Sequence, residues 1–313
     1  MVQMKPTRDG FGEALLELGE KNKSVVSLCA DLTDSTRAGW FRDRYPDRFF
    51  SFGISEQDMY SAAAGLALTG KIPFAATFGL FASGRAWDQI RISIAYMNLN
   101  VKIIGTHGGV SVGEDGATHQ AIEEIGLMRI LPNMTVIVPC DALEAHRATL
   151  KSAEHKGPVY IRLGRSSAPV VTKEEDVFEI GKAMTLCTGE DLTIIASGSM
   201  VIEAISAHEE LAKKGISARV INLHTPKPID REAIVKAAKE TGAIVTAEEH
   251  LLHCGMGSAV SEVLSQEYPV PVKMVGIKDR FGESGPPALL FKKFGLTAEN
   301  IVKVSQEVLK LKG

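Results

Sequence analysis

Eight consecutive residues, Gly113-Glu114-Asp115-Gly116-Ala117-Thr118-His119-Gln120, set two carboxylates and an imidazole among glycines. Glycines favour turns and crowded polar groups resist burial, so this segment makes a poor helix or strand. An apolar run, Val101 to Gly105, precedes it and a helix-like stretch from Ala121 follows. The pattern is a strand end, a loop and a helix start, where α/β proteins carry their ligands. A solvent-facing turn would have the same composition, and the loop alone does not separate the two readings. Comparable groups, however, end other apolar runs. Asp31 and Ser35 follow the first, Glu56 lies in Gly53-Ile54-Ser55-Glu56-Gln57, and Phe78 and Phe81 lie in Thr77-Phe78-Gly79-Leu80-Phe81. His107, Asp115 and His119 follow a fourth run, and Arg165 the last. Each alone reads equally well as a cap, a core aromatic or a solvated charge; their shared rim sets them apart. Glu56 falls where a helix begins and would cap it. In an apolar pocket lined by Phe78 and Phe81 it would instead share a proton with a ring nitrogen, the two rings offering faces for stacking. That combination suits a cofactor with an aminopyrimidine ring.

These groups need a scaffold, and the chain alternates β-type runs with helical stretches throughout. Helix is expected over Asp9–Lys21 and strand over Ser24–Ala30. Phe49–Ile54 reads as strand and Gln57–Thr69 as helix. Further strands are expected at Ile72–Thr77, Val101–Gly105, Thr135–Val138 and Val159–Leu163. Ser166–Phe178, with Pro169 and the acidic run Glu174–Asp176, reads as a linker. A second series follows: strands at Leu192–Ala196, Ala218–Asn222, Ile244–Ala247 and Val272–Ile277, and helices at Met200–Lys214, Asp230–Thr241 and Gly257–Glu267. Repeated β-then-α units imply two doubly wound, mainly parallel-sheet α/β domains, 1–180 and 181–313.

The composition is that of an ordinary globular chain, 45% hydrophobic and 23% charged over 313 residues. A net charge of -3 leaves no broad basic surface for nucleic acid. The small-apolar stretch from Ala62 to Phe81 is broken by Lys71 and Pro73, which fits a buried helix and strand better than a membrane span. Cys29, Cys140, Cys187 and Cys254 show no paired spacing, so reduced thiols and a cytoplasmic setting are expected. Glu248, Glu249, His250, His253 and Cys254 cluster like metal ligands but fit no standard zinc pattern; a polar strand end at an interface is the preferred reading.

Ala30-Asp31-Leu32-Thr33, the Glu56 and Phe78–Phe81 segments and Gly113–Gln120 together resemble the pyrimidine-binding half of transketolase. Val245-Thr246-Ala247-Glu248-Glu249-His250 and Gly255-Met256-Gly257-Ser258-Ala259-Val260 resemble its C-terminal domain, so the likeness spans nearly the whole chain. The resemblance implies thiamine diphosphate as cofactor, with Glu56 on the pyrimidine nitrogen favouring the imino tautomer, Phe78 and Phe81 stacked on the ring, and Asp31 near the thiazolium. It implies that Asp115, His107 and His119 contact the sugar, the imidazoles orienting it or relaying protons, and that Arg8, Ser35 and Arg165 hold its phosphate. The diphosphate-binding domain of that family does not match any segment of this chain. A partner subunit is therefore expected to supply it and most of the Mg²⁺ (or Ca²⁺) site, in a heterotetramer containing a homodimer of this chain. The small-residue helix Ser61–Leu68 would pack at an interface. Gly84 departs from the aromatic of many relatives, and Arg85-Ala86-Trp87-Asp88-Gln89 resembles 1-deoxy-xylulose-5-phosphate synthase and the beta subunit of 2-oxo-acid dehydrogenases. Those two activities, and a non-catalytic module retaining the fold, are the alternatives to ketol transfer.

Overall fold

The alternating pattern folds as two doubly wound α/β sheets. The computed structural model describes residues 3–312, so Met1, Val2 and Gly313, at the outer ends of the two expected domains, lie outside the described residues. The N-terminal part runs β1 (Met4–Lys5), α1 (Thr7–Lys21), β2 (Val25–Cys29), α2 (Ala38–Arg44), β3 (Phe49–Ser51), α3 (Glu56–Leu68) and β4 (Ile72–Phe78). It continues through α4 (Trp87–Gln89), β5 (Lys102–Thr106), α5 (Glu124–Arg129), β6 (Thr135–Ile137), α6 (Ala142–Glu154), β7 (Val159–Arg162) and β8 (Ala168–Pro169). Six of these strands form a wholly parallel sheet in the order β3-β2-β4-β5-β7-β6. The connections part at β2 and β4, so the carboxyl ends of these strands open a crevice at the point where strand order reverses.

The C-terminal part contains β9 (Met184–Cys187), β10 (Leu192–Ala196), α7 (Met200–Ala212), β11 (Ala218–Asn222), α8 (Arg231–Thr241) and β12 (Ile244–Leu251). It ends with α9 (Met256–Glu267), β13 (Val272–Ile277), α10 (Pro287–Phe294) and α11 (Ala298–Leu309). Its sheet order is β13-β12-β10-β11-β9, parallel except for the antiparallel edge strand β9. Among the described residues no helix is long and apolar enough to cross a membrane.

The core strands are continuous apolar runs because helices cover both faces of each sheet. Phe11 and Leu15 of α1, Phe41 of α2 and Phe74 of β4 are fully buried on one face of the first sheet. Each contributes about 1.5–3 kcal/mol by leaving water. α1 lies so close to the start of α6 that a Cβ on Gly10 would fall within 1.9 Å of the Ala142 carbonyl oxygen. Asp141 caps α6 through the Glu144 N–H and also accepts from the Val171 and Thr172 amides.

Several boundaries differ from those expected. The second strand stops at Ser51 instead of Ile54, because Gly53 takes a left-handed backbone (φ 59°) that no strand accommodates. Glu56 is accordingly the first residue of α3 and not a strand end. The helix expected from Ala121 starts at Glu124, after Ala121 bridges to Gly108. The expected linker is partly ordered: Ala168 and Pro169 pair antiparallel with Lys5 and Met4 and clasp the start of the chain. Strand β12 runs four residues beyond Ala247, carrying Glu248, Glu249 and His250 into the interior.

Candidate active site

The crevice residues come from the start of α1, the end of β4 and the loops that follow β2, β5 and β7. Arg8, Ser35, Phe78, His107, Asp115 and Arg165 line one cavity of about 350 Å³, together with Asp34 and Arg37. Arg8 stands in the first turn of α1 and donates from Nη1 to the Ser35 carbonyl at 2.9 Å. The same nitrogen lies 3.4 Å from His107 Nε2. Arg165 donates to the Val112 carbonyl at 3.0 Å and lies 3.4 Å from Asp115 Oδ2. Arg37, paired to Asp9 at 2.6 Å, is a third cation on this wall. Sequence reasoning missed it, although it stands in the same loop as Ser35. Three guanidiniums around one small cavity suit an anionic group with several acceptor oxygens, such as a phosphate ester.

His107 takes a left-handed backbone (φ 58°) and is 3% exposed. Its ring stacks on Phe78 with centroids 3.8 Å apart, and Nδ1 lies 3.0 Å from Thr106 Oγ1. Burial, reinforced by the charges of Arg8 and Arg165, lowers its pKa to about 3. The imidazole is therefore neutral, able to donate at one nitrogen and accept at the other. We expect its ring-nitrogen NMR signals to keep the neutral pattern to the lowest pH at which the protein stays folded. Arg8→Met should move any titration upward, since a neighbouring positive charge is removed. A midpoint near 6.5 in the wild type would sink this assignment. The linkage has a definite sign. An unfolded histidine takes its proton near pH 6.5, so this residue's share of stability falls by about 1.4 kcal/mol per pH unit as pH drops from there toward 3.

Phe81 lies 5.9 Å from Phe78 and 5.5 Å from His119, centroid to centroid, and joins the cavity to a second group of residues. Phe78 gives its face to His107, whereas Phe81 is half-buried. Beside it the Glu56 carboxylate is 1% exposed. Both of its oxygens have polar partners. Oε1 accepts from Thr77 Oγ1 at 3.1 Å and Oε2 from Arg85 Nη1 at 2.8 Å. Arg85 stands out in the sequence only as the first residue of the segment Arg85–Gln89, which assigns it no site role. Phe81–Arg85 and Ile90–Ala95 are π-helical turns on either side of α4, a geometry often found at functional sites. Asp31, also left-handed (φ 58°), is exposed at the end of β2 and does not line the cavity.

The loop Gly113–Gln120 is braced by the C-terminal part of the chain. The Gln120 amide donates to the Gly113 carbonyl at 3.2 Å and to that of Glu283 at 2.9 Å. Behind it Arg162 is buried between two carboxylates, with Nε 2.6 Å from Glu124 Oε1 and Nη2 3.7 Å from Glu249 Oε2. Glu249 also accepts from the Ser111 amide at 2.7 Å and the Ser199 hydroxyl at 2.8 Å. Glu248 accepts the Met256 and Gly257 amides at the start of α9. These groups are thus committed to internal hydrogen bonds, which matches the reading as a polar strand end at an interface. Among the described residues no trio of histidine, cysteine or acidic side chains is placed to hold a metal ion.

The family models for the transketolase pyrimidine binding domain and the transketolase C-terminal domain match residues 3–170 and 181–301. The chain is 48% identical to a putative transketolase C-terminal section of Methanocaldococcus jannaschii, over 98% of this chain and 97% of that one. It is 45% identical to a 6-deoxy-6-sulfo-D-fructose transketolase subunit of Clostridium sp. (strain MSTE9), over 97% of this chain and 95% of the other. A solved structure described as a split gene transketolase, an inactive beta4 tetramer, superimposes with a TM-score of 0.93 at 51% identity, covering 98% of this chain and 99% of that one. With its buried carboxylate, aromatic platform and arginine-lined cavity at the reversal of a parallel sheet, the chain belongs to the transketolase family, carrying its pyrimidine-binding and C-terminal domains.

Proposed function

We propose that this chain is the C-terminal subunit of a two-chain transketolase. It would transfer a two-carbon ketol unit from a ketose phosphate to an aldose phosphate with thiamine diphosphate as cofactor. The observation that carries this reading is the pairing of two features: Glu56 and the Phe81 ring, bridged by Arg85, and three arginines around the neighbouring cavity. The first fits the cofactor's aminopyrimidine. A flat, nitrogen-bearing group (the Arg85 guanidinium) already lies on Phe81 and bonds to Glu56, so the site accepts planar donors. The second fits a sugar phosphate. When bound, thiamine diphosphate supplies the carbon nucleophile and electron sink for breaking the bond beside a ketose carbonyl.

This chain's residues do the rest. Glu56 would hold a shared proton at the pyrimidine nitrogen and Phe81 would support the ring, with Phe78 and Asp31 at its margins. Arg8, Arg37 and Arg165, with Ser35, would fix the phosphate, which places the other end of the sugar toward His107. The neutral His107 would hydrogen-bond the carbonyl region, and Asp115 and His119 the hydroxyls, with either imidazole able to pass a proton. We place the domain boundary at 180/181. A companion chain would bring the diphosphate-binding domain and most of the Mg²⁺ (or Ca²⁺) ligands. Two copies of each chain would assemble, with α3 and its exposed Leu68 at the contact between copies of this chain. The description of the similar beta4 tetramer as inactive supports the need for a companion. The free cysteines suit a reducing, cytoplasmic setting.

The test is ketol transfer from xylulose 5-phosphate to ribose 5-phosphate with thiamine diphosphate and Mg²⁺, by this chain alone and mixed with the companion that co-purifies from its source. Transfer by the mixture alone is the expected result. Decarboxylation of pyruvate without sugar-phosphate transfer would replace this reading with a 2-oxo-acid dehydrogenase or synthase activity.

A further inference from the structure

Arg85 is placed in a way that neither the fold nor the proposed reaction explains. Its guanidinium carbon lies 4.2 Å from the centre of the Phe81 ring, and its Nη1 lies 2.8 Å from Glu56 Oε2. The side chain is 43% exposed while its carboxylate partner is 1% exposed, so a half-solvated cation reaches in to a buried anion. Its backbone is anchored, because its carbonyl accepts from Gln57 Nε2 at 3.2 Å, and Phe81 and Arg85 bound a single π-helical turn. The backbone is thus held, while the side chain borders solvent, the side to which it could leave.

A guanidinium and an aminopyrimidine share an outline. Both are flat, both present N–H groups at an edge, and both lay a face on an aromatic ring. Arg85 makes the two contacts that Glu56 and Phe81 would offer such a ring. Two planar groups cannot both take that carboxylate oxygen and that ring.

We infer that Arg85 is a built-in occupant of the aminopyrimidine seat, which the ring must displace on binding. The inference rests on reading Glu56 and Phe81 as that seat. It gives Arg85 two effects. Before the cofactor enters, the cation gives the buried carboxylate a partner and spares it the cost of an unpaired buried charge. After displacement, Glu56 loses its counter-ion and keeps only the Thr77 hydroxyl, which favours its sharing a proton with the incoming nitrogen. A binding site that is open only part of the time binds more weakly by the fraction that is open, so removing the occupant should tighten binding.

The experiment is calorimetric titration of thiamine diphosphate, with Mg²⁺ present, into this chain mixed with its companion. Wild type, Arg85→Ala, Arg85→Lys and the double variant Arg85→Ala/Glu56→Gln are compared, with circular dichroism confirming that each is folded. Ligand-observed NMR with 4-amino-5-hydroxymethyl-2-methylpyrimidine repeats the comparison without the diphosphate. Arg85→Ala should bind about tenfold more tightly than wild type. Arg85→Lys should fall between, because an ammonium can pair with Glu56 but cannot lie flat on Phe81. The double variant should lose the gain. Unchanged or weaker binding by Arg85→Ala, with binding by wild type intact, would overturn the inference and leave the seat in place. No binding by wild type in the mixture would remove the seat itself, and the inference with it.

Discussion

Glu56→Gln is expected to lower ketol transfer by the assembled enzyme by about a thousandfold, the scale of losing a positioned acid–base group. The substitution is nearly isosteric. The two oxygens of Glu56 accept from different donors, so a glutamine keeps its carbonyl for Arg85 and turns its amide NH2 to the Thr77 hydroxyl, which then accepts. It cannot hold a proton between itself and a ring nitrogen. A fold defect would appear in the melting curve; turnover lost at saturating cofactor in a folded variant is the signature of the proposed role. Turnover near the wild-type level would remove Glu56 from the chemistry.

The second large effect concerns Arg162, and it is one of stability. Arg162→Met is expected to destabilise the protein by about 3–5 kcal/mol, the range for breaking a buried charge pair by removing one partner. Glu124 is fully buried, Glu249 is 3% exposed and Glu124 Oε2 has no other partner, so the variant would leave two uncompensated carboxylates inside. Burial already raises the pKa of Glu124, with Arg162 opposing the rise. Adding Glu124→Gln to Arg162→Met should therefore recover part of the loss. Urea unfolding of the two single variants and the double would measure the coupling. A change below 1 kcal/mol in Arg162→Met would show that the network rearranges around the gap.

These two predictions mark what the sequence could and could not show. The parallel strands β2, β4, β5 and β10 were legible because they are buried on both faces and read as largely apolar runs. The rim residues were legible because they follow those runs directly. Arg162 was not, since it sits inside an apolar strand and its carboxylates are 38 and 87 residues away. The pairing of Arg85 with Glu56 was hidden for a related reason, although the segment Arg85–Gln89 itself stood out. The two are 29 residues apart, and π-helical turns leave no periodic trace that a helix pattern would not also leave. The end of the chain was left unread, although Thr297 caps α11 through the Asn300 amide and announces it locally.

In the second sheet the strand order reverses around β10, and the loop after that strand starts α7. In related architectures such an end receives a phosphate or another anion from outside. Here the protein provides its own. The Glu249 carboxylate already accepts from the Ser199 hydroxyl before α7 and from the Ser111 amide across the domain contact. An anion from solution would meet like charge and lose both donors. That edge of the C-terminal part thus serves as a fastening, and holding a neighbour there excludes seating an anion.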